Sequence, residues 1–225
     1  MKISVVIPVY NEGPSVLLLY KKIKAALEYL DYEIVFVDDG STDNTFSELR
    51  KIEDDRARII NYVENKGQCF ALYTGLKHSQ ADTIATIDAD LQNDPADIPL
   101  MLAELEKGYD FVCGWRYERK DNLVKRLFSK TANFLQNLLL GLNLHDSSCP
   151  LKVFKKACVS KIKYFKHYHR FISALVFLQG YRIKEYRCLH YPRQWGVSKY
   201  GIRGRFWGTI KTFFKIKFGY KKLLE

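Results

Sequence analysis

The sequence has little cysteine and none of it in a useful arrangement. Cys69, Cys113, Cys149, Cys158 and Cys188 are scattered, odd in number and free of C-x-x-C spacing. That pattern excludes a disulfide framework and carries no zinc signature; it reads as reduced, mostly structural thiols of a cytosolic protein. Long apolar runs are also missing. The longest, FISALVFL (Phe171 to Leu178) and LLLGLNL (Leu138 to Leu144), fall well short of the roughly 18 residues that cross a bilayer. The opening MKISVVIPVYNE turns polar too early for a signal peptide. There is no G-x-S-x-G, H-E-x-x-H or P-loop spacing, which argues against the common hydrolases, and no repeat, low-complexity tract or linker. Acidic residues are in deficit, 25 Asp and Glu against 36 Lys and Arg, leaving a net charge of +11. Such an excess implies an anionic partner: a nucleotide, a phospholipid, a nucleic acid or a membrane surface. No nucleic-acid-binding motif accompanies the charge, so a nucleic-acid partner is not expected.

What is present is the content of a globular core, 47% hydrophobic and 14% aromatic over 225 residues. The first half alternates two periodicities. ISVVIPVY (Ile3 to Tyr10) reads as a strand, and Ser15 to Leu30 as a helix with Pro14 at its first turn. Strands are expected again in YEIVFVDDGSTDNT, ARIINYV (Ala57 to Val63), DTIATIDAD and YDFVCGW. Helices are expected in GQCFALYTGLKHSQ and in DPADIPLMLAELEKG, the latter closed by Gly108. Near-continuous apolar strands separated by helices predict an α/β fold, a mainly parallel sheet covered on both faces in a single domain. Beyond residue 115 the pattern changes to a charged connection (RYERKDNLVKR), a helix from Leu127 to Leu142, a strand near Tyr181 to Leu189, and a basic aromatic tail.

Open α/β sheets bind ligands beyond the carboxyl ends of their strands. Three polar clusters fall there: Tyr10-Asn11-Glu12, Asp38-Asp39-Gly40-Ser41 and Asp88-Ala89-Asp90. Each has a plain alternative, because Asp-Gly-Ser also makes turns or helix caps and Glu12 also suits a solvated loop. Asp88 and Asp90 stand two residues apart, so on a strand end they point to the same side. Two such carboxylates repel, and one binds a proton unless a cation sits between them. Mg²⁺ or Mn²⁺ would relieve that repulsion with oxygen ligands, and Gln92 would add a neutral carbonyl. The alternative is that Asp88 caps the strand and Asp90 starts the following helix.

The ordered set VVIPVYNE, IVFVDDGSTDNT, NKGQ…AL..GL, IDADLQNDP..IP and CGWR resembles family-two glycosyltransferases with the GT-A fold. The DADLQ form is most similar to the dolichyl- and polyprenyl-phosphate hexose synthases, and the resemblance runs from residue 1 to about residue 200. It implies a GT-A domain over 1–200 that moves a hexose from a nucleoside diphosphate sugar to a polyprenyl phosphate, with inversion and with Mg²⁺ or Mn²⁺. Carried over residue by residue, Pro8, Tyr10, Glu12, Val37 and Asp39 would line base and ribose. Asp88, Ala89 and Asp90 would hold the ribose and the metal-bound diphosphate, with Gln92 completing the metal site. Arg116 would face a phosphate. HYPRQWGVSKYG (His190 to Gly201) is similar to the family's H..R..G.SKY signature, which places Arg193 and Lys199 on the diphosphate or the acceptor phosphate. Asp146 stands where the family often has an acidic residue beside the acceptor. It would orient the nucleophile, act as base, or simply cap its loop, and His169-Arg170 is a second candidate for the acceptor side.

These roles agree with elementary chemistry. A leaving diphosphate gathers negative charge, which a divalent ion with Arg and Lys stabilises. A lipid phosphate is already anionic and needs no strong base, whereas a sugar hydroxyl, the alternative acceptor, needs one. A nucleotidyltransferase would share the acidic ligands but release pyrophosphate. The tail, residues 201–225, is expected to be a basic amphipathic helix in which Ile202, Phe206, Ile210, Phe213 and Phe214 oppose Lys211, Lys215 and Lys222. Such a helix suits the headgroup region of an anionic bilayer, and its plain alternative is a helix packed on the domain. Peripheral docking at the cytoplasmic face of a membrane, or a membrane-protein partner, would bring the enzyme to a lipid acceptor. The sequence leaves self-association open.

Overall fold

The computed structural model describes residues 2–117, 123–195 and 212–224. Seven strands, β1 (Lys2–Val9), β2 (Asp31–Asp38), β3 (Ala57–Asn61), β4 (Thr83–Thr86), β5 (Phe111–Arg116), β6 (Lys152–Lys155) and β7 (Ile183–Cys188), form one sheet in the order β3-β2-β1-β4-β6-β5-β7. All run parallel except β6, which lies antiparallel between β4 and β5. Helices α1 (Gly13–Ala26), α2 (Thr45–Leu49), α3 (Gln68–His78), α4 (Asp97–Glu106), α5 (Leu123–Leu140), α6 (Ala157–Ser160) and α7 (Tyr168–Leu178) complete the domain.

Alternate residues of the central strands serve two cores, which is why those strands read as unbroken apolar runs. Val5, Ile7, Ile34 and Phe36 pack on one side with Val16, Leu19 and Ile23 of α1 and Met101 and Leu105 of α4. Val6, Val35, Val37 and Ile84 pack on the other with Leu72 and Leu76 of α3 and Phe171 and Leu175 of α7. Gly75 lets α3 lie close on the sheet: a Cβ there would come within 2.3 Å of Val6 Cγ1.

Several elements differ from the sequence expectation. The strand carrying Asp88 ends at Thr86; Ile87 still donates to Val6 O at 3.3 Å, then the chain leaves the sheet and Leu91 takes φ 58°. Helix α5 starts at Leu123, inside the stretch expected to be a connection. Strand β6, only KVFK, and helix α7 were not expected. FISALVFL is apolar on nearly every side because α7 is buried from Phe171 to Val176, which erases the one-sided periodicity of a surface helix.

In the tail, residues 212–219 are helical. Phe213 and Ile216 belong to the α3–α7 core, and Phe213 meets Phe171 edge-on at 5.0 Å. Leu224 bridges Ile162, and Lys163 N donates to Leu223 O at 2.9 Å. The described part of the tail is therefore built into the domain. Phe213 faces inward and Phe214 outward, so the apolar face expected for membrane contact divides; Phe218, Lys215 and Lys217 are also exposed, while Ile202, Phe206, Ile210 and Lys211 lie outside the described residues. Among the described residues no helix is long and apolar enough to cross a membrane.

Candidate active site

The carboxyl ends of β1, β2, β4, β5 and β7 share one rim, because those strands are parallel. There the loop after β1 is stapled to the loop after β2. Asn11, at φ 51°, donates its N–H to Ser41 Oγ at 2.9 Å and accepts from Thr42 N at 2.7 Å; Glu12 N donates to Thr45 Oγ1 at 2.8 Å. Asp38 is fully buried; its Oδ1 accepts from Ser41 N and Oγ, and its Oδ2 has no partner.

Asp39 is also buried. Its two oxygens accept from Lys66 N and Gly67 N, each at 2.8 Å, and its own N–H donates to Val9 O. Burial pushes its carboxyl up, against the pull of those two amides. Asp39 thus ties the Asn65–Gly67 loop to the end of β2. Pro8 and Tyr10 are half-buried at the end of β1, whereas Val37 and Ala89 are buried in the two cores. The Val37 side chain packs in the core beneath the rim.

Asp88 and Asp90 stand at the centre of this rim. Gln68, at the first turn of α3, donates Nε2–H to Asp88 Oδ1 at 2.9 Å. Burial pushes the Asp88 carboxyl up to about 7; the neighbouring Asp90 charge adds to the rise, while Gln68, Arg116 and Lys152 oppose it. Asp90 is pushed up by burial as well, against the Gln92 N–H, Arg193 and Arg116. Of the cations felt by Asp90, Arg116 ends β5 and Arg193 lies in the segment after β7. The Asp88–Asp90 pair offers oxygen donors only, which suits a hard divalent ion. Among the described residues no three His, Cys, Asp or Glu side chains gather closely enough to hold an ion alone. The pair fits a metal that completes its shell with ligand oxygens. Gln92 lies beside the pair, its Nε2 donating to Tyr191 O at 3.3 Å.

The segment after β7 is zipped along the DLQNDP turn. Asn93 bridges His190, Tyr191 N donates to Gln92 O at 2.9 Å, and Leu189 N donates to Asp97 Oδ2 at 3.3 Å. This carries Arg193 over the rim, where it pairs with Glu12 and lies 3.6 Å from Asp90 Oδ2. Residues more than 180 positions apart in sequence thus form one charged cluster. Lys199 lies outside the described residues.

Arg116 ends β5 and forms a buried fork with Asp146: Nε to Oδ2 at 2.6 Å and Nη2 to Oδ1 at 2.9 Å. Ser148 Oγ joins the same network, 3.1 Å from Nη2 and 3.0 Å from Asp146 Oδ1. A carboxylate held bidentate by a guanidinium is strongly oriented, so Asp146 reaches the rim as the anchor of Arg116. His169, the other acceptor-side candidate, contacts the Cys69 thiol at 2.9 Å beside the start of α3. Gln68, Ser148 and Glu185 take part without having been singled out as site residues in the sequence; only Gln68 had a signal, its place in NKGQ.

A family model, glycosyl transferase family 2, matches residues 4–163. Among curated proteins the chain is 40% identical over 215 residues to a dodecaprenyl-phosphate galacturonate synthase of Rhizobium johnstonii, covering 92% of this chain and 64% of that protein. It is 35% identical over 206 residues to an undecaprenyl-phosphate 4-deoxy-4-formamido-L-arabinose transferase of Proteus mirabilis, covering 89% of this chain and 63% of that one. The chain therefore spans under two thirds of the length of these relatives. In fold it is similar to a glucosyl-3-phosphoglycerate synthase of Mycobacterium tuberculosis solved with Mn²⁺ and UDP-glucose, with a TM-score of 0.71, 17% identity, and coverage of 96% of this chain and 78% of that one. The sheet order and the helices on both faces are those of a GT-A domain, and the chain belongs to glycosyl transferase family 2.

Proposed function

We propose that this domain transfers a hexose or a hexose-derived sugar from a nucleoside diphosphate donor to a polyprenyl phosphate, with inversion at the anomeric carbon. The observation that carries the reading is the rim on which Asp88 and Asp90, both disfavoured as free anions, meet the cations Arg116 and Arg193. Two carboxylates strained in this way favour a cation, and the nearby guanidiniums favour phosphate oxygens. The names of the two curated relatives support the acceptor class, and the Mn²⁺ and UDP-glucose with which the structural neighbour was solved support the donor class.

In this reading Pro8, Tyr10 and the backbone around Val37 receive the base and ribose, with Asp39 shaping the loop opposite. Asp88 and Asp90, with the Gln92 carbonyl, would hold Mg²⁺ or Mn²⁺, which supplies Lewis-acid stabilisation to the departing diphosphate. Arg193 exchanges its contacts with Glu12 and Asp90 for diphosphate oxygens, and Lys199 joins it. Arg116 holds the acceptor phosphate in line with the anomeric carbon, with Asp146 fixing its orientation. One acceptor phosphate oxygen forms the new bond to that carbon while the bond to the diphosphate breaks, its electron pair leaving with the nucleoside diphosphate. No proton has to be removed.

The outward Phe214 and Phe218 with Lys215, Lys217, Lys221 and Lys222 would rest against an anionic membrane surface at its cytoplasmic side. The test is transfer of radiolabel from a panel of UDP- and GDP-sugars, with Mn²⁺, to undecaprenyl phosphate. Label should enter the organic phase with one donor class and stay out when Asp88 or Asp90 is changed to Asn. Label passing only to sugar hydroxyls would replace this reading with the alternative acceptor.

A further inference from the structure

Glu185 makes three contacts with the loop that carries Asp146, two of them to backbone amides. It lies on β7 opposite Cys113 of β5, largely buried. Its Oε1 accepts from two consecutive backbone amides, His145 N at 2.7 Å and Asp146 N at 2.9 Å. Its Oε2 contacts the same histidine's Nδ1 at 2.8 Å. The His145 ring is fixed in turn by stacking on Trp115, with centroids 4.1 Å apart and planes 13° from parallel. From the opposite side, Asn133 of α5 donates to His145 O at 2.6 Å and accepts from Ser147 Oγ at 2.8 Å. The backbone on either side of Asp146 is thus held between β7 and α5, and an aspartate with a fixed backbone has only two side-chain torsions left.

We infer that Glu185 is a positioning residue for Arg116, acting through the Asp146 backbone; this rests on the proposed role of Arg116 at the acceptor phosphate. A carboxylate oxygen shared by two adjacent amides sets the direction of the Asp146 Cα–Cβ bond. The Asp146 fork then sets the guanidinium. Small displacements at a reacting phosphate cost turnover steeply. Removing the clamp therefore affects the acceptor side and spares the donor side, which is built from the loops after β1, β2 and β4 and from Arg193 beyond β7.

The test compares Glu185→Ala, Glu185→Gln and Glu185→Asp in the full chain. Turnover is measured with Mn²⁺, the nucleotide sugar that wild type uses, and undecaprenyl phosphate in micelles. A second arm reads the Arg116 Nε–H resonance by ¹⁵N NMR, assigned with Arg116→Lys, and needs no turnover at all. Glu185→Ala should raise the acceptor KM at least about tenfold and leave the donor KM within about twofold. The Arg116 signal should broaden or shift. Glu185→Gln, whose carbonyl still accepts both amides, should restore most of the loss. Should the alanine variant fold poorly, Glu185→Asp, with a shorter reach, should show the same acceptor-selective loss. Added to Asp146→Asn, the Glu185→Ala change should cost nothing more. Equal loss on donor and acceptor, an unmoved Arg116 signal, or full additivity with Asp146→Asn would overturn the inference. A wild type that transfers to no lipid phosphate but whose Arg116 signal still collapses in Glu185→Ala would overturn the proposed function and keep the clamp.

Discussion

Replacing Asp88 by asparagine should stabilise the metal-free protein at alkaline pH while removing its response to Mn²⁺. In the fold the Asp88 carboxyl is pushed from the ordinary 3.8 up to about 7. Holding it ionised above that point costs about 4 kcal/mol, taken as a ceiling. The folded state binds this proton more tightly than the unfolded chain, so its contribution to stability falls as pH rises from about 4 to about 7 and is level beyond. Asparagine is neutral throughout and still offers Gln68 an acceptor oxygen. Part of the gain is lost because the amide forfeits attraction from Arg116 and Lys152, and Asp90 takes up some of the relief. The net expectation is about 1–3 kcal/mol at about pH 8, or about 2–12 °C in Tm for a chain of this size, shrinking toward zero at about pH 4. Thermal melts in EDTA at the two pH values, repeated with Mn²⁺ and UDP, give the comparison. A variant that melts below wild type by the same margin at both pH values would show that Asp88 is a structural hydrogen-bonding group, and the reasoning from buried like charges would fail.

Arg116→Ala leaves the buried Asp146 carboxylate without its guanidinium and should cost about 3–5 kcal/mol in urea denaturation, with Asp146→Asn in the same chain recovering part of it. Arg193→Ala removes a partly exposed cation that bridges Glu12 and Asp90. Its Tm should stay within about 2 °C of wild type while the donor KM rises about tenfold, as expected for a charge-assisted contact to phosphate. Gly114→Ala would bring a Cβ to 2.8 Å from Cys149 Sγ and 2.9 Å from Leu151 O. It should destabilise by about 1–3 kcal/mol, readable in the same denaturation series, because both neighbours sit in a packed layer.

The α/β architecture was legible because strands buried on both faces read as continuous branched runs, as in SVVIP and IVFV. The carboxylate pair stands out in sequence because two aspartates at i and i+2 closing an apolar run have few ordinary uses. In the fold both lie past the end of β4, and burial is the first cause of their raised carboxyls, with the Asp90 charge adding to that of Asp88. The pairing of Arg116 with Asp146 was not legible. Both residues were singled out, but the 30 positions between them carry no signal that the loop after α5 folds back on the end of β5. Glu185 looked like one charge among many in IKEYRC, and its use depends on two backbone amides, which sequence does not mark. Strand β6 escaped notice because four residues flanked by lysines show no period. In the tail, helical spacing marks residues 212–219 but does not choose between a bilayer and the domain: Phe213 turns into the core, and a wheel cannot tell a membrane from a neighbouring α7.

The most direct measurement is calorimetric titration of UDP and GDP into the protein, with Mn²⁺ and then with EDTA, for wild type, Asp88→Asn and Asp90→Asn. If the paired carboxylates grip a cation that grips a diphosphate, one nucleotide binds wild type with Mn²⁺ only, and both variants lose that binding. Equal nucleotide binding in EDTA, or unchanged binding by the two asparagine variants, would contradict it.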